Sequence, residues 1–148
     1  DKDREFIKRY WDEYKKLILQ GTDDLKIISL RDSIKETIKL NGKLYFVGNG
    51  ASASLCSHAA TDFTKQAKIE AHAFNDHNLI TALSNDYGYE YWLEKSINFY
   101  GDEGDVLIAI STSGSSKNII NGCKEAKRKK FSKIITFTGK KKIIQSKN

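Results

Sequence analysis

The sequence predicts an α/β protein, a doubly wound parallel sheet flanked by helices, with two further helices ahead of the first strand. Three observations carry this. Residues 105–111 (Asp-Val-Leu-Ile-Ala-Ile-Ser) form an unbroken apolar run entered from an acid-glycine turn, as in a strand buried on both faces. Helix-length amphipathic stretches separate it from strand-like runs at 43–48 and 133–139. Two of these strands also run straight into glycine- and hydroxyl-rich turns that open helices, at the strand ends where open α/β sheets bind ligands.

Residues 3–20 place Phe6, Tyr10, Tyr14, Leu17 and Ile18 three and four apart, an amphipathic helix closed by Gly21. A second helix starts from Thr22-Asp23-Asp24, carries Leu25, Ile28, Leu30, Ile34 and Ile38, and stops at Asn41-Gly42. Such helices pack on their own sheet or on a second subunit. The aromatic surface of Phe6, Tyr10, Trp11 and Tyr14 favours an oligomer. Residues 43–48 are the first strand, followed by a helix from about Ser52 to Lys65. Residues 68–75 alternate Ile69, Ala71 and Ala73 with polar neighbours, a second strand whose end is flanked by His72 and His77, neither with an evident partner. Residues 79–83 read as one or two helical turns and 84–89 as a turn, in which Asp86 ahead of Gly88 can also aim a carboxylate into a cleft. A helix over 91–100, a glycine turn at 101–104, the third strand, a crossover helix over 117–130 and a fourth strand over 133–139 complete the pattern.

A length of 148 residues suits one domain with a real core. The net charge of +6 is unevenly spread: residues 122–148 hold 10 Lys/Arg against one Glu, leaving 15 basic and 18 acidic residues over 1–121. The basic run Lys127-Arg128-Lys129-Lys130 sits at a helix C-terminus, where cations complement the dipole, so no nucleic-acid partner is expected. Cys56 and Cys123 lack metal-type spacing and read as free thiols of a cytoplasmic protein. Apolar runs fall far short of the roughly 20 residues a membrane span needs, and no signal peptide opens the chain, so no membrane partner is expected. With no Met, even at position 1, the chain is expected to be a piece of a longer product.

The turn after the third strand is built for an anion. Ser111, Thr112, Ser113 and Ser116 offer hydroxyls, Gly114 allows a tight turn, and the following helix presents free N–H groups and its positive end. Without a Gly-Lys-Ser/Thr pair it is no nucleotide P-loop, and neutral donors suit a monoester such as a sugar phosphate. A serine-rich helix cap would look the same. Gly48-Asn49-Gly50-Ala51-Ser52 makes a second such corner but lacks the third glycine of a dinucleotide fingerprint. On the helix that follows, His58 and Asp62 share a face with Ser54; the pair can serve as an acid/base or metal site, although a surface hydrogen bond is the commoner meaning.

Taken together, residues 48–52, His58 with Asp62, residues 84–88 (Ser-Asn-Asp-Tyr-Gly), residues 103–107 (Glu-Gly-Asp-Val-Leu) and residues 111–116 (Ser-Thr-Ser-Gly-Ser-Ser) resemble the sugar isomerase (SIS) domain, and within it the phosphoheptose isomerase group. The likeness covers essentially the whole chain, its two leading helices included. It implies a flavodoxin-like fold, with 1–148 as a single SIS domain that stops before the C-terminal helix and 1–42 as an N-terminal helical pair. The implied activity is interconversion of sedoheptulose 7-phosphate and D-glycero-D-manno-heptose 7-phosphate through an enediol, toward the heptose of bacterial lipopolysaccharide or capsule.

The resemblance also implies residue roles. Phosphate would lie among Ser52, Ser111, Thr112, Ser113 and Ser116, with Asn49 and Asp86 on the sugar. His58 and Asp62, the latter a Glu in the family, would be catalytic and would bind zinc with Gln and His ligands from the C-terminal helix. The assembly implied is a cytoplasmic homotetramer. Two alternatives accompany this reading: a non-catalytic SIS protein that binds phosphosugar or a protein partner, like the bacterial DnaA-associating factor, and an SIS isomerase for another phosphosugar.

Overall fold

The structure is a computed structural model that describes residues 1–20 and 23–139. The helix stop at Gly21, the cap at Thr22 and the basic residues from 140 onward lie outside the described residues. The chain divides into two compact units, Asp1–Asp32 and a second that begins at Ser33. In the first, α1 (Lys2–Gln20) carries the expected stripe, with Phe6, Leu17 and Ile18 exposed. Tyr10 and Tyr14 stack at 6.4 Å and Trp11 meets both edge-on, at 5.6 and 5.8 Å. The division falls within α2 (Asp24–Lys39), whose Ile34 and Thr37 are buried in the second unit.

The second unit continues with β1 (Leu44–Gly48), α3 (Ala51–Lys65), β2 (Ala71–Ala73), α4 (His77–Tyr87), α5 (Trp92–Tyr100), β3 (Val106–Ile110), α6 (Lys117–Arg128) and β4 (Lys133–Phe137). All four strands are parallel, in the order β2-β1-β3-β4, the flavodoxin-type arrangement expected. Leu44 stands beside Val106 and Gly48 beside Ile110, so β1 and β3 end level. The strand order reverses between these two.

Side chains alternate across the strands. On one face Tyr45, Val47, Leu107 and Ala109 meet Trp92, Leu93 and Ile97 of α5 and Ile119, Cys123 and Ala126 of α6. Burying each large aliphatic group there contributes about 1.5–3 kcal/mol. The opposite face is covered by α3, where Phe63 packs on Phe46 at 5.4 Å. Both cysteines are free and buried, and burial pushes each thiol up to about 11.

The strand starts are tied by one carboxylate. Asp105, 1% exposed, accepts the Lys43 backbone N–H on Oδ1 and the Asp102 N–H on Oδ2, both at 2.8 Å. Lys43 Nζ lies 2.6 Å from Asp102 and 3.5 Å from Asp105, and although burial pulls it down, the two carboxylates hold its pKa above the ordinary lysine value.

Three sequence expectations need correction. The second strand has three residues rather than spanning 68–75: Lys68 takes a positive φ of 58° and the Ile69 N–H bonds back to the Phe63 carbonyl, so this stretch closes α3 instead of joining the sheet. Residues 84–87 are the last turn of α4, not a turn between elements. Asp76 caps that helix by accepting from the Asn78 and Leu79 N–H groups, and Gly88 stops it with its N–H on the Ser84 carbonyl. Finally, His72 does have a partner, with Nε2 2.9 Å from the Glu70 carboxylate.

Candidate active site

Both hydroxyl-rich turns lie at the carboxyl ends of β1 and β3, the adjacent strands between which the order reverses, so the crevice there is the topological switch point. Gly48 is demanded by close approach: a Cβ on it would meet the Ser52 backbone and Cβ at 2.8 Å, which lets α3 start directly over the strand end. At the other turn Gly114 has φ 66°, a left-handed backbone that suits glycine.

The two helices that open here differ from α4 in one respect. Helix α4 has its first N–H groups capped by the Asp76 carboxylate, whereas α3 starts at Gly50 and α6 at Ser116 with no side-chain cap on either. First-turn N–H groups have no acceptor within their own helix; in α3 the Ser52 N–H is taken by the Asn49 carbonyl at 3.1 Å, so α3 keeps fewer open donors than α6, and both bring positive dipole ends to the crevice. The serine-cap reading of the second turn therefore fails at Ser116, whose side chain does not cap.

Within that turn, Ser111 Oγ accepts the Gly114 N–H and Ser113 Oγ accepts the Ser115 N–H, each at 3.2 Å. Each hydroxyl oxygen is thus engaged by backbone while its proton is free to be donated. Ser111 is buried; Thr112 and Ser113 are exposed, and Ser52 and Ser116 partly so. The turn is anchored to the next strand by the Ser111 N–H on the Phe137 carbonyl and the Gly139 N–H on the Thr112 carbonyl.

Farther along α3, His58 Nε2 lies 3.2 Å from Asp62 Oδ2, and Gln66 Nε2 donates to Asp62 Oδ1 at 3.3 Å. His58 is largely exposed and Asp62 about half-exposed. The nitrogen and oxygen of this pair are donors of the type zinc accepts, but among the described residues no group of three or more His, Cys, Asp or Glu converges, so these two side chains do not by themselves make a metal site. Asp86, in the last turn of α4, is exposed and accepts from the Asn85 side chain at 3.0 Å.

Two residues that sequence reasoning missed meet at Asn49, and one of them joins the two turns. Asn118, the second residue of α6 and 3% exposed, exchanges two hydrogen bonds with Asn49: Asn118 Nδ2 donates to Asn49 Oδ1 at 2.8 Å and Asn49 Nδ2 donates to Asn118 Oδ1 at 3.0 Å. Tyr89 Oη, from the segment between α4 and α5, donates to Asn49 Oδ1 at 3.4 Å. The only hint in the sequence was a polar residue directly ahead of the apolar Ile119-Ile120 pair. Two surface hollows, of about 460 and 450 Å³, lie along β2 and are lined in part by His72 and Ala73. Neither includes the uncapped helix starts, and we place the site at the switch point on chemistry rather than on concavity.

A family model for the SIS domain matches residues 9–139, most of the chain and all of the crevice just described. The chain belongs to the SIS domain family. This SIS chain is 37% identical over 131 residues to a phosphoheptose isomerase of Maridesulfovibrio salexigens, covering 84% of this chain and 60% of that protein. It is 34% identical over 129 residues to phosphoheptose isomerase 1 of Campylobacter jejuni, covering 82% and 69%. Among solved structures, that of phosphoheptose isomerase GmhA from Neisseria gonorrhoeae superposes with a TM-score of 0.79 at 30% identity, over 92% of this chain and 76% of that one. A phosphoheptose isomerase from Francisella tularensis superposes with a TM-score of 0.84 at 25% identity, over 92% and 75%. The chain thus spans about 60–69% of the length of these two sequence relatives.

Proposed function

We propose that this SIS chain belongs to a phosphosugar aldose-ketose isomerase that interconverts sedoheptulose 7-phosphate and D-glycero-D-manno-heptose 7-phosphate. The observation that carries the proposal is the meeting of two uncapped helix N-termini with a row of hydroxyls at one switch point, with a histidine-carboxylate pair farther along one of those helices. Relatives of more than 30% identity named phosphoheptose isomerase support the choice of sugar.

In this reading Ser111, Thr112, Ser113 and Ser116 donate hydroxyl protons to the phosphate, and Ser52 receives it from the α3 side. Neutral donors suit the site because a monoester needs orientation more than charge neutralisation. Asp86 and Asn49 orient the sugar hydroxyls. Asp62 takes the proton from the carbon next to the carbonyl and returns it to the former carbonyl carbon, while by way of the enediol the hydroxyl proton of the first carbon passes to the carbonyl oxygen, with no net gain or loss of atoms. His58 holds Asp62 in place across 3.2 Å and Gln66 braces its other oxygen. Zinc, when bound, supplies polarisation of the carbonyl oxygen, and His58 and Asp62 would be among the residues that hold it. The enzyme would work as a cytoplasmic homotetramer on the route to lipopolysaccharide or capsule heptose, with the exposed aromatic stripe of α1 in a subunit interface.

The test is Asp62→Asn in the full-length protein, assayed on sedoheptulose 7-phosphate with added zinc. Turnover is expected to fall about 10²- to 10⁴-fold, the usual contribution of a positioned acid/base group, while phosphosugar affinity stays close to that of the parent. Asp62→Glu, which installs the family residue, is expected to retain activity. Turnover of Asp62→Asn at the parent rate makes the carboxylate structural and sinks this proton-transfer role, whereas a parent that binds the phosphosugar without turning it over leaves a phosphosugar-binding regulator as the reading.

A further inference from the structure

We infer that Asn118 is a positioning residue, which through its reciprocal amide pair with Asn49 sets the spacing of the two anion-accepting turns. The inference rests on the phosphosugar reading above. Asn49 directly follows β1 and Asn118 lies in the first turn of α6, so the pair joins positions 69 residues apart across the switch point. The register of β1 with β3 ends at Gly48 and Ile110. The amide pair therefore carries contact between the two strands onward into the turns.

Its chemistry is selective. An amide facing an amide matches donor to acceptor on both sides, whereas a carboxylate would set oxygen against oxygen and an aliphatic group would strand the partner's donor and acceptor. Asn118 is 3% exposed, so water cannot readily replace Asn49, and a buried amide without partners is costly. Tyr89 adds a third tether, from the segment between α4 and α5, to the same Asn49 oxygen. Asn49 Oδ1 already accepts two hydrogen bonds, so Asn49 acts mainly through Asn118, keeping one Nδ2 proton for a sugar hydroxyl. The two uncapped helix starts can share one phosphosugar only if their separation is held, and the amide pair is what holds it.

The experiment uses the full-length protein and four variants: Asn118→Ala, Asn118→Asp, Asn49→Ala and the Asn49→Ala/Asn118→Ala double. Each is assayed for kcat and KM on sedoheptulose 7-phosphate and for inorganic phosphate affinity, below its melting temperature. Asn118→Ala is expected to lose about tenfold or more in kcat/KM, since misplacement by about 1 Å can cost 10²-fold, and to bind phosphate more weakly. In the Asn49→Ala background the same change should cost little more, because the pair is already broken. Asn118→Asp keeps the side-chain size and is expected to show the same loss, so it decides the matter if the alanine variant does not fold. Unchanged kinetics and phosphate affinity with only a lowered Tm, or fully additive losses, overturn the positioning role. A parent that binds phosphate without isomerising the sugar removes the isomerase reading and leaves the clamp to be judged on phosphate affinity. A parent that binds no phosphate overturns both.

Discussion

Replacing Ser111 and Ser113 together by alanine tests the anion site where its geometry is best defined. Both hydroxyl oxygens accept a backbone N–H at 3.2 Å, which leaves each proton to donate to a bound phosphate. A hydrogen bond to a charged group contributes about 1.5–3 kcal/mol. Taking the low end for buried Ser111 and about 1 kcal/mol for exposed Ser113 gives about 2.5 kcal/mol, or roughly 60-fold in Kd. A stability cost should accompany the loss, since the Gly114 N–H gives up its acceptor, worth about 1 kcal/mol or more. The two effects separate by temperature. Calorimetric titration with sedoheptulose 7-phosphate well below the melting point reads binding alone, and a thermal melt without ligand reads stability. A folded double variant whose Kd stays within about twofold of the parent, far below the 60-fold expected, would refute the assignment of this turn to phosphate.

Two further outcomes follow from side chains already placed. Glu125 accepts from Arg128 and from Asn98 Nδ2; the Arg128 hydrogen bond, against opposition from burial, holds its carboxyl below the ordinary glutamate value of 4.5. A lowered folded-state pKa stabilises above the unfolded value and is lost as pH falls through the folded one, so the stability gap between the parent and Glu125→Gln should be full at neutral pH and shrink below pH 4.5; urea melts showing a constant gap would contradict this. For α1, the exposed Phe6, Tyr10, Trp11 and Tyr14 lead us to expect an oligomer by light scattering at micromolar concentration, and a monomer there removes this face from any subunit interface.

The sheet and its helices were legible because both-face burial leaves a continuous apolar run, and 105–111 and 43–48 fall where β3 and β1 do. The helical turns at 79–83 are legible, but the last turn of α4 is not, because Asn85-Asp86 ahead of a glycine is turn chemistry in isolation. The capping carboxylate at Asp76 starts the helix early enough to carry it through those residues. The second strand was overextended because Ile69 keeps the alternation while its backbone is recruited to finish α3. At the site, hydroxyls and glycines announce themselves by type and spacing, so Ser52 and Ser111–Ser116 could be found from the sequence. Asn118 could not: an asparagine early in a helix looks like ordinary surface, and only the fold places its amide against Asn49.

The carboxylate at the opposite ends of these strands bears on how the crevice is aligned. Leu44–Val47 and Val106–Ala109 are buried at every position, so a slip of one strand past the other would still bury an apolar residue at each step, and inside-outside alternation exacts no penalty. What distinguishes the correct alignment is polar: the Lys43 N–H finds an Asp105 oxygen in only one register. A slip of one residue would carry Asn49 about 3.3 Å along the strand direction relative to Asn118, beyond the reach of their paired amides. Asp105 lies at the far end of the strands from the crevice, yet it supplies the frame of reference from which both turns are measured, across a five-residue strand in each case.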